Sequence, residues 1–403
     1  MPQAIYIIFL FAFGACIGSF LNVVVYRLPR GQSLIHPPSR CPSCEHPLAW
    51  YDNLPVVGWI MLRGKCRYCK NPISPRYPIV EAALGSLFAL IYIAIFIGHQ
   101  GPFWAVYNDQ GDLAQSVIRM DDLAGNWPIF GLYLLTISAL LAASLIDAEL
   151  YLIPPGISWL MAAAGVVVHT IVDRRGLPGA VCGGAMQIAL AMGAGVGLIL
   201  SLILLRFGVL PLSFSQGQPP LEVDKLRKKE GEEEPPDFTP DQVRVEIRKE
   251  ILFLLPPLLL GGLAVVLEIN DGPIHGFFAG MASADWLGGL FGALLGGLVG
   301  GGVVWITRIF GSLAFGKEAM GLGDVDLMFG VGTVIGAGAA SVAFLMAPFF
   351  GLPLALGMFL LKSRRQLPYG PYLSMATAVV MLFYFPIYDY LRPGLVNLLR
   401  MLM

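Results

Sequence analysis

Long apolar blocks recur from one end of this chain to the other, and each is close to the length that crosses a membrane. They fall at about 4–26, 79–98, 128–147, 156–172, 182–205, 251–268, 286–307, 326–342, 343–361 and 370–388. About 20 apolar residues in a helix span a hydrocarbon core of roughly 30 Å. No water is available there to satisfy backbone N–H and C=O groups, so each block must bond internally as a helix. The expected fold is therefore an all-α polytopic membrane protein of about nine or ten transmembrane helices. Composition agrees: 56% of residues are hydrophobic and 13% charged, where a soluble domain carries about a quarter charged. The 326–361 block is read as two helices joined by a tight turn, with Gly336, Gly338 and Pro348 as possible breaks. The first block lacks a basic leader and is read as a retained span. A net charge of −1 gives no sign of a nucleic-acid partner.

Orientation follows from lysine and arginine. If the 27–78 loop is cytoplasmic and the spans alternate, 21 of the 26 basic side chains lie on the cytoplasmic side. The alternation requires 326–361 to begin and end there, which supports two helices. Glycines in the run GGLFGALLGGLVGGG (288–302) permit close helix packing. Polar, proline-rich residues 207–250 interrupt the pattern and are expected to form a disordered cytoplasmic insertion. The chain thus divides into a first transmembrane helix (1–28), a cytoplasmic loop domain (29–78), helices carrying a first boundary aspartate (79–206), the insertion (207–250) and a second helical set (251–403).

Four of the six cysteines form two Cys-x-x-Cys pairs, Cys41/Cys44 and Cys66/Cys69, with 21 residues between them. Each pair can aim two thiolates at one point, and two pairs complete a tetrahedral set. Zn²⁺ is the expected occupant, in a structural role, because four protein ligands leave no position for water. Unligated thiols are the alternative. Arg40, Arg63, Lys65, Arg67 and Lys70 are placed to offset thiolate charge, while His36 and His46 are read as bystanders. Cys16 and Cys182 lie in apolar blocks and are read as small core residues.

Two aspartates stand where apolar blocks meet the cytoplasmic face. Asp147 closes the run before AELYLIP, and Asp324 lies in MGLGDVDLMFG. Carboxylates at such depth read as functional. Two that share a desolvated site do not both ionise easily, so one can hold a proton while the other acts as base. Gly321 and Gly323 would let a peptide backbone approach Asp324. Taken alone, Gly-x-Gly-Asp is equally a glycine turn at a solvated helix end. Glu149, Asp326 and Glu81 are weaker candidates, since each lies where a charge can be hydrated.

Several motifs in order resemble one family. GACIGSFLNVVVYRLP (14–29) and SRCPSCEHPLAWYDNLPVVGWIMLRGKCRYCKNPISPRYPIVE (39–81) resemble the N-terminal domain of bacterial type IV prepilin peptidases. SLID followed by IP, GLGD, and LPYGPYL (367–373) resemble that family's two aspartate motifs and its late Pro-x-Gly-Pro motif. The resemblance implies a multi-pass aspartic endopeptidase of the bacterial inner membrane that removes the leader of prepilins and type II secretion pseudopilins after a glycine at the cytoplasmic face. It further implies N-methylation of the new N-terminus with S-adenosylmethionine. Asp147 and Asp324 carry over as the catalytic pair, and Cys41, Cys44, Cys66 and Cys69 as zinc ligands. The chain departs from the pattern at Asp326, where lysine is usual, at Pro155, and in its long insertion. No Gly-rich strand–turn–helix signature marks a methyl-donor site. A presenilin-like protease would share Gly-x-Gly-Asp but not the four-cysteine loop. A transporter would be expected to show an inverted repeat, and none is visible.

Overall fold

The computed structural model describes residues 3–98, 105–107, 113–115, 123–173, 179–214, 239–270, 272–360 and 367–402. Helix α1 (Gln3–Arg27) leaves its apolar stretch at Arg27, whose guanidinium donates to the Ser33 and Pro37 carbonyls at 3.0 and 2.7 Å. The loop domain follows, with the short helix α2 (Val57–Met61), and the chain returns as α3 (Arg76–Tyr92). Two three-residue strands, β1 (Ala105–Tyr107) and β2 (Leu113–Gln115), pair antiparallel as a small exception to the all-α expectation. Then come α4 (Leu123–Leu150), α5 (Pro155–Val172) and α6 (Ala185–Arg206). The remaining helices are α7 (Pro240–Ile269), α8 (Pro273–Ser283), α9 (Asp285–Phe315), α10 (Leu322–Leu360) and α11 (Gly370–Leu402). Eight described helices are long and apolar enough to cross a membrane, and 370–384 forms a shorter apolar segment.

Glycine sets the packing distances. A Cβ on Gly14 would lie 2.9 Å from Gly85 Cα, and one on Gly18 2.8 Å from Glu81 Cα, so α1 and α3 meet backbone to backbone. The run at 288–302 does the same for α9: side chains at Gly296 and Gly300 would overlap the Gly332 and Met328 carbonyls of α10. Such contact supplies the dispersion that replaces the hydrophobic effect between helices in lipid.

Helix α10 is two helical arms meeting at Gly336, whose φ of 80° and ψ of 168° are not helical. The first arm, 322–335, packs along α9. The second, 337–360, runs back: Gly338 faces Tyr384 and Gly351 faces Tyr372, so it lies antiparallel to α11. The expected pair of helices is therefore present, but its turn falls at Gly336, not near residue 342. Glycine alone tolerates this φ cheaply, whereas Pro348 and Pro353 are accommodated inside the second arm.

Other boundaries also differ from the sequence reading. Helix α7 starts at Pro240, eleven residues before its apolar block, because Thr239 caps it: the Gln242 amide donates to Thr239 Oγ1 and the Gln242 side chain accepts from Thr239 N. The 215–238 part of the expected insertion lies outside the described residues. Helix α8, too short to span, packs Phe278 and Ala282 on Ile188 and Ala189 where a plain loop was expected. Helix α9 continues to Phe315, past the expected end at 307. Cys16 lies on the exposed face of α1 and is not a core residue; Cys182 is half-buried just before α6.

Candidate active site and metal centre

The loop domain is built on a local repeat. SRCPSCEHPL (39–48) and GKCRYCKNPI (64–73) fold into matching turns. Cys41 N donates to His46 O at 3.0 Å and Cys66 N to Asn71 O at 2.9 Å; Leu48 N reaches Ser39 O at 2.9 Å and Ile73 N reaches Gly64 O at 2.7 Å. Glu45 and Lys70 occupy the same left-handed position, with φ of 55° and 63°. The fold of each turn brings its two thiols to one side. All four sulfurs lie within 4.8 Å of one another, and Cys41 Sγ and Cys69 Sγ are 3.8 Å apart. Bonds of about 2.3 Å to a tetrahedral Zn²⁺ imply sulfur separations of about 3.8 Å, so these residues fit the ion.

The surrounding dipoles favour thiolates. Backbone N–H groups of Cys44 and Ser43 lower the Cys41 thiol to about 6, and those of Cys69 and Tyr68 lower Cys66. At Cys69 the Asn71 N–H acts downward, but burial and the neighbouring thiols outweigh it and push the group up to about 11. A divalent cation would relieve that crowding. His46 packs against Tyr68 with the rings tilted and their centroids 3.6 Å apart, and joins no metal cluster among the described residues.

Two ties position the domain. Arg67, between the second pair of cysteines, grips buried Asp52 with Nη2 at 2.6 Å and Nε at 3.0 Å. Glu81 of α3 accepts from Val56 N at 2.7 Å, just before α2. Glu81 is thus buried and bonded, while Glu149 is half-exposed and pairs with Arg76. Asp326 is half-buried beside α10's first turn.

The two boundary aspartates come from different helix ends. Asp147 sits in the last turn of α4 and Asp324 in the first turn of α10; both are buried, at 6% and 8% exposure. Gly370 N, opening α11, donates to Asp147 Oδ2 at 3.0 Å. Ile153, after α4, joins the two sites. A Cβ on Gly370 would lie 3.1 Å from Ile153 Cδ1, and one on Gly323 3.1 Å from Ile153 Cβ. Asp324 N donates to Gly321 O at 3.3 Å. The charges of Asp147 and Arg308 both reach Asp324. Burial, and next the Asp324 charge, push the neighbouring Tyr369 phenol up to about 12. The turn at 367–370 therefore lies against Asp147, which Gly370 holds, and against Ile153, which also meets Gly323 beside Asp324. Residue-by-residue reading missed Ile153, Tyr369 and Gly370 as neighbours of the pair, and only the LPYGPYL motif pointed to that segment.

Several known proteins are similar to this chain in sequence. Residues 12–95 match the family model of the bacterial peptidase A24 N-terminal domain. A prepilin leader peptidase/N-methyltransferase of Myxococcus xanthus (strain DK1622) is 55% identical over 84 residues, 21% of this chain and 25% of the relative. One from Klebsiella pneumoniae is 36% identical over 167 residues, covering 40% of this chain and 60% of the relative. These two alignments thus span less than two thirds of the relatives' own length. One from Aeromonas hydrophila is 24% identical over 405 residues, 94% of this chain and 91% of the relative. No solved structure matches the chain significantly.

Fold and sites together define a polytopic α-helical membrane protein with a four-cysteine cluster of a geometry that could hold a metal ion and two buried carboxylates at one end of its bundle. Within that class, the chain is similar along 94% of its length to a prepilin leader peptidase/N-methyltransferase, and its residues 12–95 match the bacterial peptidase A24 N-terminal domain.

Proposed function

We propose that this protein is an aspartic endopeptidase of the bacterial inner membrane, with Asp147 and Asp324 as its catalytic pair. One observation carries the reading: two buried carboxylates, distant in sequence, converge on Ile153 at the end of the bundle to which positive-inside alternation assigns the cytoplasm. One carboxylate takes a proton from water as that water attacks the scissile carbonyl carbon. The other donates its proton, and the C–N bond breaks with protonation of the leaving amine. The proposed substrates are prepilins, which the names of the relatives print, together with the type II pseudopilins that the motif resemblance implies. A basic leader held in the cytoplasm by the positive-inside tendency, followed by an apolar helix held in lipid, presents the bond between them at this depth. The backbone there must be extended, because a helical carbonyl is already hydrogen-bonded and shielded. A glycine before the cut supplies that freedom.

The cysteine cluster is proposed to hold a structural Zn²⁺ that shapes the loop domain and takes no part in proteolysis, since closed coordination has no open position. The relatives are named N-methyltransferases as well, and the proposed second activity, implied by the motif resemblance, is N-methylation of the trimmed N-terminus with S-adenosylmethionine as donor. No described residue set carries a recognisable donor-binding signature, so no methyl-transfer step is assigned to residues.

Incubating purified protein with a prepilin from its own genome and sequencing the product tests the reading. Cleavage is expected directly after a glycine that precedes the apolar helix. Asp147→Asn and Asp324→Asn should each lower kcat by about 10⁴-fold, the upper range for general acid–base groups, with folding retained. Wild-type turnover in either variant, or equal cleavage after that glycine is changed to Val, removes the assignment.

A further inference from the structure

Arg308 lies inside α9, two turns before its end, and is only 1% exposed. A lone guanidinium at that depth is costly, and this one is closely coordinated. Its Nε donates to Glu250 Oε1 of α7 at 3.0 Å. Its Nη1 donates to Glu318 Oε1 at 2.6 Å and also to the Met320 carbonyl. Glu250 is held in turn by Trp305 Nε1 at 3.0 Å. The Phe214 ring closes the other side, 4.9 Å from the guanidinium carbon. The Nη2 nitrogen is buried and has no acceptor among the described residues. Buried donors are rarely left unused, because each costs the desolvation of the group.

Glu318 and Met320 belong to the short connection between α9 and α10, whose end carries Asp324. That connection is pinned at other points as well. Gly316 turns it in the left-handed region, and Ala319 N donates to Ser312 Oγ at 3.0 Å. Arg308 is the charged member of this set, and its charge reaches Asp324.

We propose that Arg308 is a positioning residue. It grips the 318–320 segment so that Asp324 faces Asp147, and Glu250, on the helix that follows the polar insertion, fixes Arg308 in turn. Helix α7 is thereby coupled to the Gly-x-Gly-Asp segment without touching substrate. The proposal rests on the peptidase reading for its kinetic consequence, but not for its structural one.

The test combines kinetics with amide hydrogen exchange on the full-length detergent-solubilised protein. In Arg308→Gln, amides at 316–323 should exchange at least about tenfold faster, while 3–98 and α11 remain unchanged. The kcat for prepilin cleavage should fall about 100-fold, the scale of a misplacement near 1 Å, with KM within about twofold. Arg308→Lys should recover only part of this, because one ammonium cannot reproduce the planar fork. Unchanged exchange at 316–323, exchange raised throughout the chain, or a change in KM alone would overturn the proposal. If Arg308→Gln does not fold, Glu318→Gln serves instead, since it removes the half-exposed partner; faster exchange at 316–323 with lowered kcat supports the proposal, and wild-type behaviour overturns it. A wild-type protein that cleaves no prepilin would defeat the peptidase reading, and hydrogen exchange would still decide whether Arg308 holds the segment.

Discussion

Gly370 has no side chain where there is no room for one. A Cβ there would stand 2.7 Å from Asp147 Oδ2, inside van der Waals contact, while the backbone N–H of the same residue holds that oxygen. Gly370→Ala should therefore push the carboxylate aside without loss of its charge. Cleavage is expected to slow about 100-fold, while thermal stability changes little, and turnover on a prepilin peptide measures it. Unchanged turnover would show that Asp147 tolerates displacement. At this scale the aspartates and cysteines were legible in the sequence, because a carboxylate or a Cys-x-x-Cys pair beside an apolar block is conspicuous. Ile153 was not legible, since an apolar residue carries no chemical label and its neighbours come from three separate helix ends. Arg308 was also missed, for a different reason. A charge reads as the end of a span, so α9 was expected to stop at 307; only partners from α7 and from the loop beyond α9 allow the helix to continue past it.

Among the elements, the loop domain depends most on something outside its own packing. It has few buried apolar side chains, and its two knuckles are short turns. Metal binding is expected to supply its folding free energy, about 10–16 kcal/mol in comparable zinc-finger peptides. Metal analysis should give about one zinc per chain, the ratio for one tetrahedral four-ligand site. Cys66→Ser, or a strong chelator, should remove the metal and expose residues 39–73 to proteolytic nicking, while the helical bundle stays intact. Nicking that is equally slow with and without metal would refute this. Acidification should act in the same direction as chelation, because protons compete with the metal for thiolates. The repeat of the two knuckles was visible in the spacing of Cys and Pro in both segments, and the left-handed positions of Glu45 and Lys70 follow from the tight turn that this spacing demands. Helix termini were less legible. Thr239 starts α7 through a capping box inside a stretch whose composition suggested disorder, and Gly336 was only one of three candidate breaks in its block.

For the whole molecule, the hairpin of α10 decides which side each later segment occupies. Because its second arm returns beside α11, the start of α11 lies at the same end as Asp324 and the loop domain. Substituted cysteines can check this arrangement in intact cells. Over the background of native thiols, Lys317→Cys should react with a membrane-impermeant maleimide only after permeabilisation, and Ile274→Cys, at the start of α8, should react before it. The reverse pattern would invert the topology and place the carboxylate pair on the wrong side for a cytoplasmic leader. The convergence of three helix ends also sets an order in time. A chain emerging from the ribosome carries Asp147 early and Asp324 much later, but Gly370 last. Until α11 has entered the membrane, Asp147 lacks its backbone donor and the 367–370 turn cannot close the site. On the proposed reading, proteolytic competence is thus tied to late synthesis: a chain that ends between Asp324 and Gly370 carries both carboxylates but lacks the amide that holds Asp147.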